Sequence, residues 1–262
     1  MIRYLRLYAC FLRFSFSRAM EFRLDFFFRI GMDLVWNVVN LGFFWVIYRH
    51  TTLLGGWTFD QMLVFAGGVF VYDAINMTVF SNNMWWLPFA INKGDLDYHL
   101  TRPISPLFFL SFREFAANSF INLVVALGIL AWTLVRYPEP LGAAAIIFYA
   151  ALLMVGVLLH YVLNMIFLIP TFWMHSSSGL REIFFSMEQF VTRPYGIFQG
   201  WLARILVTIL PFALIVSFPT RALFEGFTTN LVFHMLGVTA GAFLVMKLLW
   251  NAGIRAYSSA SS

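Results

Sequence analysis

The run His175–Gly179, HSSSG, sets a base beside three hydroxyl groups, the residue types of acyl transfer. That chemistry also needs an acid to orient the base and donors to hold an oxyanion, and the neighbouring sequence supplies neither. The run therefore reads as a Ser/Gly turn. Other catalytic patterns are missing outright. The chain has two lysines, Lys93 and Lys247, neither in a G-x-x-x-x-G-K loop, and H-E-x-x-H, C-x-x-C and G-x-S-x-G do not occur. This excludes P-loop nucleotide hydrolysis. Cys10 is the single cysteine, which excludes an internal disulfide and a thiolate metal cluster. No catalytic and no metal-ligating set is expected.

Four ionisable residues lie within long apolar stretches: Asp73, His160, Glu188 and His234. Each is a site either for a substrate or proton, or for a polar contact between helices, with the contact the commoner role. Asp73 lies beside Asn76 and one to two turns after Gly67 and Gly68, small residues that let a neighbouring helix approach closely.

A fifth group is concentrated in NKGDLDYHLTRPISPLFF, beginning at Asn92. Lys93, Asp95, Asp97, His99 and Arg102 fall within it, although charged residues make up only 11% of the chain. Gly94 permits a turn, Asp95 can cap a short helix, and Pro103 forces its predecessor out of helical geometry. The expected product is a short, rigid, charged knob.

The elements that must hold these residues are set by composition. Of 262 residues, 61% are hydrophobic and 19% aromatic, with a mean hydropathy of +0.80. A soluble domain carries roughly 25% charge, so the chain is read as an all-α integral membrane protein in one transmembrane unit, 1–262. Runs of about 20 apolar residues suffice to cross the hydrocarbon. Six are expected, near 30–48, 61–80, 107–135, 142–173, 180–197 and 231–250, with Arg181, Glu182 and Glu188 interrupting the fifth. No barrel-like alternation is present.

Twelve of the 17 Lys and Arg residues fall on one side of these spans: Arg3, Arg6, Arg13, Arg18, Arg23, Arg29, Lys93, Arg102, Arg113, Arg181, Lys247 and Arg255. The positive-inside tendency makes that side, and both termini, cytoplasmic. The net charge of +5 is thus topological, with the bilayer as the partner and no nucleic acid implied. Residues 1–29 lack an uncharged core and a cleavage pattern, so they read as an interfacial amphipathic helix. In 198–228, Pro211 and Pro219 break an apolar stretch into pieces too short to cross. These are expected to form a re-entrant helical pair on the outside, with Arg221 and Glu225 near its end. A kinked true span is the competing reading.

At Ile91–Pro106, INKGDLDYHLTRPISP, the sequence resembles the membrane subunits of type 2 ATP-binding-cassette exporters, in particular the six-span bacterial permeases. Their pattern I-x-x-G-x-L-D-x-x-L-x-x-P-x-x-P is matched by Ile91, Gly94, Leu96, Asp97, Leu100, Pro103 and Pro106, with Arg102 at a position usually basic. The likeness extends to the basic lead-in, the six spans and the segment before the last span.

The resemblance implies that 92–100, within a cytoplasmic connection of 83–106, is a coupling helix docked on a separate ATPase. Asp95, Asp97 and Arg102 would then supply polar contacts, while Leu96 and Leu100 pack. It further implies two ATPase subunits carrying ATP and Mg2+, no cofactor on this chain, and a second permease that is a related but different chain. The location implied is the bacterial inner membrane. Two other classes compete. A secondary transporter would want inverted repeats with matching polar breaks, and a membrane enzyme a clustered acid, base or metal set.

Overall fold

The structure, a computed structural model, describes residues 2–19, 23–174 and 178–257. His175, Ser176 and Ser177 of the HSSSG run lie outside the described residues, as do the side chains of Arg3, Arg18 and Arg23. Apart from an isolated bridge between Leu54 and Trp57, the described regular elements are helices, as a backbone in lipid requires.

Helix α1 (Ile2–Ala19) precedes α2 (Arg23–Tyr48), so the expected interfacial segment 1–29 divides into a separate helix and the first residues of a span. Helix α3 (Phe59–Asn76) starts at a capping box in which Thr58 and Gln61 satisfy each other's backbone N–H groups. A π-helical turn, Met77–Ser81, joins α3 to α4 (Asn82–Lys93). The expected span 61–80 is therefore part of one apolar helical stretch, Phe59–Lys93. The short α5 (Leu96–Leu100) and α6 (Pro106–Phe112) follow, then α7 (Ala117–Arg136) and α8 (Ala143–Leu168), which continues as a 3-10 turn to Phe172. The chain ends with α9 (Ser178–Glu188), α10 (Gly200–Thr208), α11 (Ser217–Glu225) and α12 (Thr229–Ala256).

Five of these stretches are long and apolar enough to cross a membrane: Phe27–Tyr48, Phe59–Lys93, Ser119–Arg136, Ala143–Phe172 and Thr229–Ala256. The span expected at 107–135 is divided. The backbone leaves helical geometry between Phe112 and Ala117, and the freed groups find partners in the π-helical region beside them. Asn83 accepts from Glu114 N at 2.9 Å and donates to Glu114 O at 2.8 Å, and Ala116 N donates to Thr78 O at 2.9 Å. Such substitution is what allows a broken helix at membrane depth.

The span expected at 180–197 is also not one helix. The 11 residues of α9 reach about 16 Å, roughly half the hydrocarbon thickness. The interruption follows the chemistry noted in sequence, because α9 ends at Glu188. Contacts nevertheless descend in order along the α3–α4 stretch. Arg181 and Phe185 meet Trp85, Glu188 meets Tyr72, and Gly196 meets Gly55 in the α2–α3 connection so closely that a Cβ would collide with the Gly55 carbonyl.

The core centres on α3, whose Met62, Val64, Phe65 and Ala66 are buried among α2, α7, α8 and α11. Gly67 lets α7 approach until a Cβ would stand 3.0 Å from Leu130 Cα. Asn37 of α2 donates to Asn122 of α7 at 3.1 Å, a buried polar contact between spans. Helices α2 and α12 instead expose rows of large apolar side chains, including Val35, Trp36 and Val39 on α2 and Phe243, Leu244 and Leu248 on α12.

Candidate functional site

Gly94 ends α4 with φ +81°, the left-handed geometry that glycine adopts without strain and that closes a helix. The chain then turns directly into α5. Asp95 occupies the position before α5 but makes no side-chain cap, so its expected capping role is not seen. Ser105 caps α6 by accepting from Phe108 N at 3.4 Å, and Pro106 takes the first helical position, where its missing N–H is harmless. Pro103 lies in the turn between them.

The knob thus formed has two faces. Leu96 and His99 point inward and are buried, with the His99 ring 4.5 Å from that of Phe109 and 5.8 Å from that of Trp86. Leu100 is half-buried. Outward stand Asp95, Tyr98 and Arg102, with the Arg102 guanidinium 3.9 Å above the Tyr98 ring and Tyr98 58% exposed. Tyr98 was not singled out by sequence reasoning; its placement between inward Leu96 and Leu100 was the available signal. Asp97 is half-buried and faces Tyr257, just beyond α12. Burial first, then the Asp97 and Asp95 carboxylates, push the Tyr257 phenol up to about 12. Burial, followed by the Arg113 charge, holds His99 below its ordinary range, partly offset by Asp95.

Helix α1 braces this knob. Tyr4 packs edge-on against Phe108 at 4.8 Å, Tyr8 against Phe112 at 6.0 Å and Phe11 against Phe109 at 5.4 Å. Ser15 Oγ accepts from Phe115 N at 3.2 Å, in the break before α7.

On the opposite end, α10 and α11 have nine residues each, about 14 Å, too short to cross. The turn between them, Phe212–Val216, is buried. It abuts Gly156 in mid-α8, where a Cβ would collide with the Ile215 carbonyl, and Val216 lies against Gly68 of α3. The end of α11 lies back at the level of the α7–α8 connection, with Phe224 against Tyr137 at 4.9 Å and Phe227 against Phe148 at 5.0 Å. Pro211 sits at the turn, whereas Pro219 lies in the first turn of α11 and begins that helix rather than breaking it. Arg221 and Glu225 form an exposed pair at 2.7 Å.

Of the four residues at membrane depth, three bridge helices. His160 Nε2 lies 2.9 Å from Glu188 Oε1, and the Tyr72 hydroxyl donates to the same oxygen at 2.8 Å. His234 Nε2 contacts the Val207 carbonyl at 3.1 Å, tying α12 to α10. Asp73 does not join them. It has no hydrogen bond or ion pair among the described residues and lines a cavity of about 1130 Å³ bounded by α1, α2, α3, α4, α6, α7, α8 and α9. No group of His, Cys, Asp and Glu among the described residues is arranged to hold a metal.

No curated protein and no solved structure matches the chain. The family model described as ABC-2 family transporter protein matches residues 34–261, from within α2 to the residue before the last. With its apolar helices, this places the protein among multi-pass membrane proteins that are the transport component of ATP-binding-cassette systems, a family whose ATPase activity generally resides in separate subunits. The chain belongs to the ABC-2 family of transporters and is a membrane permease of that type.

Proposed function

We propose that the chain forms half of the translocation path of an exporter and takes its motion from a separate ATPase through α5. The observation that carries this reading is the knob itself. Its inner face is anchored by Leu96 and His99, while Asp95, Tyr98 and Arg102 stand free on a rigid outward surface. Exposed Tyr and Arg on a preorganised helix are the residue types that dominate protein interfaces. A loop that merely carried charges to water would need neither the Gly94 turn nor the inward anchors.

In this reading two ATPase subunits hold ATP and Mg2+ and close on binding nucleotide. Rigid-body displacement of two permease halves follows, the second half being a related but different chain. Helix α9 and the turns after it make a sixth crossing, supported by the descending contacts from Trp85 to Gly55. Residues 198–228 re-enter from the outside, supported by a buried turn against Gly156 and an end near Tyr137. Both termini then face the cytoplasm of a bacterial inner membrane, in agreement with the distribution of Lys and Arg.

Affinity purification of the tagged chain in mild detergent, with mass spectrometry of what accompanies it, tests the assembly. Recovery of an ATPase and a second permease is expected. A preparation that transports a solute with no ATPase present would instead identify a secondary carrier.

A further inference from the structure

The cavity beside Asp73 combines two properties rarely found together in a membrane helix bundle. Its walls are aromatic, with Trp36, Phe70, Phe184 and Phe185 among them, and carboxyl groups from different helices converge on it. Glu188 lines it from α9 and Asp73 from α3, and the Asp33 carboxyl of α2 lies close enough to act on Asp73 electrostatically. Carboxyl groups at this depth ordinarily pair with a cation or with one another through a hydrogen bond. Glu188 has His160 and Tyr72, and Asp33 feels the Arg29 charge. Asp73 is half-buried and keeps part of its surface on the cavity, and it has no hydrogen bond or ion pair among the described residues.

The carboxyl groups are not arranged to hold a metal ion. At about 1130 Å³ the space is slightly larger than the pockets of about 300–1,000 Å³ that enclose drug-sized molecules. Aromatic faces attract cations as well as apolar bodies. We infer that the cavity binds an amphiphilic organic cation, its positive group at Asp73 and its apolar or aromatic body against Trp36, Phe70 and Phe185. This ligand is the transported class, an assignment that rests on the proposed exporter function, whereas its binding does not. Arg29, Arg113 and Arg181 also line the cavity; Arg29 acts on Asp33, and Arg113 and Arg181 each lie with the guanidinium over a tryptophan, Trp86 and Trp85. Arg113 and Arg181 lie toward the α5 end and Arg29 faces Asp33, so a cation would seat beyond them, at the Asp73 carboxyl.

The test uses the full chain in lipid nanodiscs and two dyes, rhodamine 6G as the cationic probe and nile red as the uncharged one. Fluorescence polarisation should show saturable rhodamine 6G binding to the wild type. Asp73→Asn should weaken it tenfold or more without changing nile red binding, and Asp73→Glu should restore most of it. Phe185→Ala should weaken both dyes, which keeps the test informative if Asp73→Asn fails to fold. Equal rhodamine 6G affinity in wild type and Asp73→Asn, or no saturable binding to the wild type, overturns the inference. Copurification of the ATPase from the same preparations reports separately on the proposed exporter function. A chain that retains its ATPase but ignores the cation overturns the ligand assignment alone.

Discussion

His160 Nε2 and Glu188 Oε1 stand 2.9 Å apart, and Tyr72 donates to that same oxygen at 2.8 Å, so one carboxylate joins α8, α9 and α3. With only 11 residues, α9 depends on such contacts for its position. Polar contacts between membrane helices contribute about 0.6 kcal/mol on average and up to about 1.7. Glu188→Ala should therefore lower stability by about 1–2 kcal/mol, because it also strands a His160 that is 1% exposed. Tyr72→Phe should cost about half as much. Thermal unfolding in detergent, run as a double-mutant cycle with His160→Ala, would show the coupling.

Gly156 meets the Ile215 carbonyl backbone to backbone, a contact that no side-chain rotation can relieve. Gly156→Val should displace the α10–α11 turn from α8 and abolish the monodisperse species in size-exclusion chromatography. Gly128→Ala, at a glycine with open space around it, should leave the profile unchanged.

Asn83 satisfies both the N–H and the carbonyl of Glu114 in the break between α6 and α7. Asn83→Leu keeps the volume and removes both partners. Leaving a buried backbone group unsatisfied costs about 1–3 kcal/mol, and hydrogen exchange should accelerate at residues 113–116 before it does elsewhere in α7.

His99 is 4% exposed, and burial together with Arg113 holds it below its ordinary range while Asp95 acts in the opposite sense. The neutral ring is the form the folded knob accommodates, so the unfolded chain binds the proton more readily. The stability it contributes is complete above the unfolded value, about 6.5, and is lost as pH falls below that towards the folded value. The melting temperature should drop between pH 7.5 and 5.5, and His99→Gln should flatten that dependence.

Much of this was legible in the sequence because it depends on local signals. Gly94 and Pro103 marked the ends of α4 and α5, and run length located each of the five long helices within a few residues of one end or the other. What escaped depends on partners distant in the chain. The break at 113–116 is sustained by Asn83, some 30 positions away, and hydropathy cannot see such a hydrogen bond. The continuation of α3 through the π-helical turn into α4 keeps Asn82, Asn83 and Pro88 in helix, against their propensities, because α6, α8 and the 3-10 turn after α8 pack on that stretch. At the sites, Asp73 and Glu188 looked alike in sequence. Only the fold shows that Glu188 is held by two side chains and Asp73 by none among the described residues.

The most direct test of coupling through α5 changes its outer face alone. Tyr98→Ala combined with Arg102→Glu alters two exposed residues and leaves the buried Leu96 and His99 in place. Wild type and variant should show the same melting temperature and the same elution volume when the chain is isolated. The account predicts that the wild type retains its ATPase on affinity resin and the variant loses at least nine-tenths of it. Equal retention by both proteins would contradict the claim that the ATPase engages this helix.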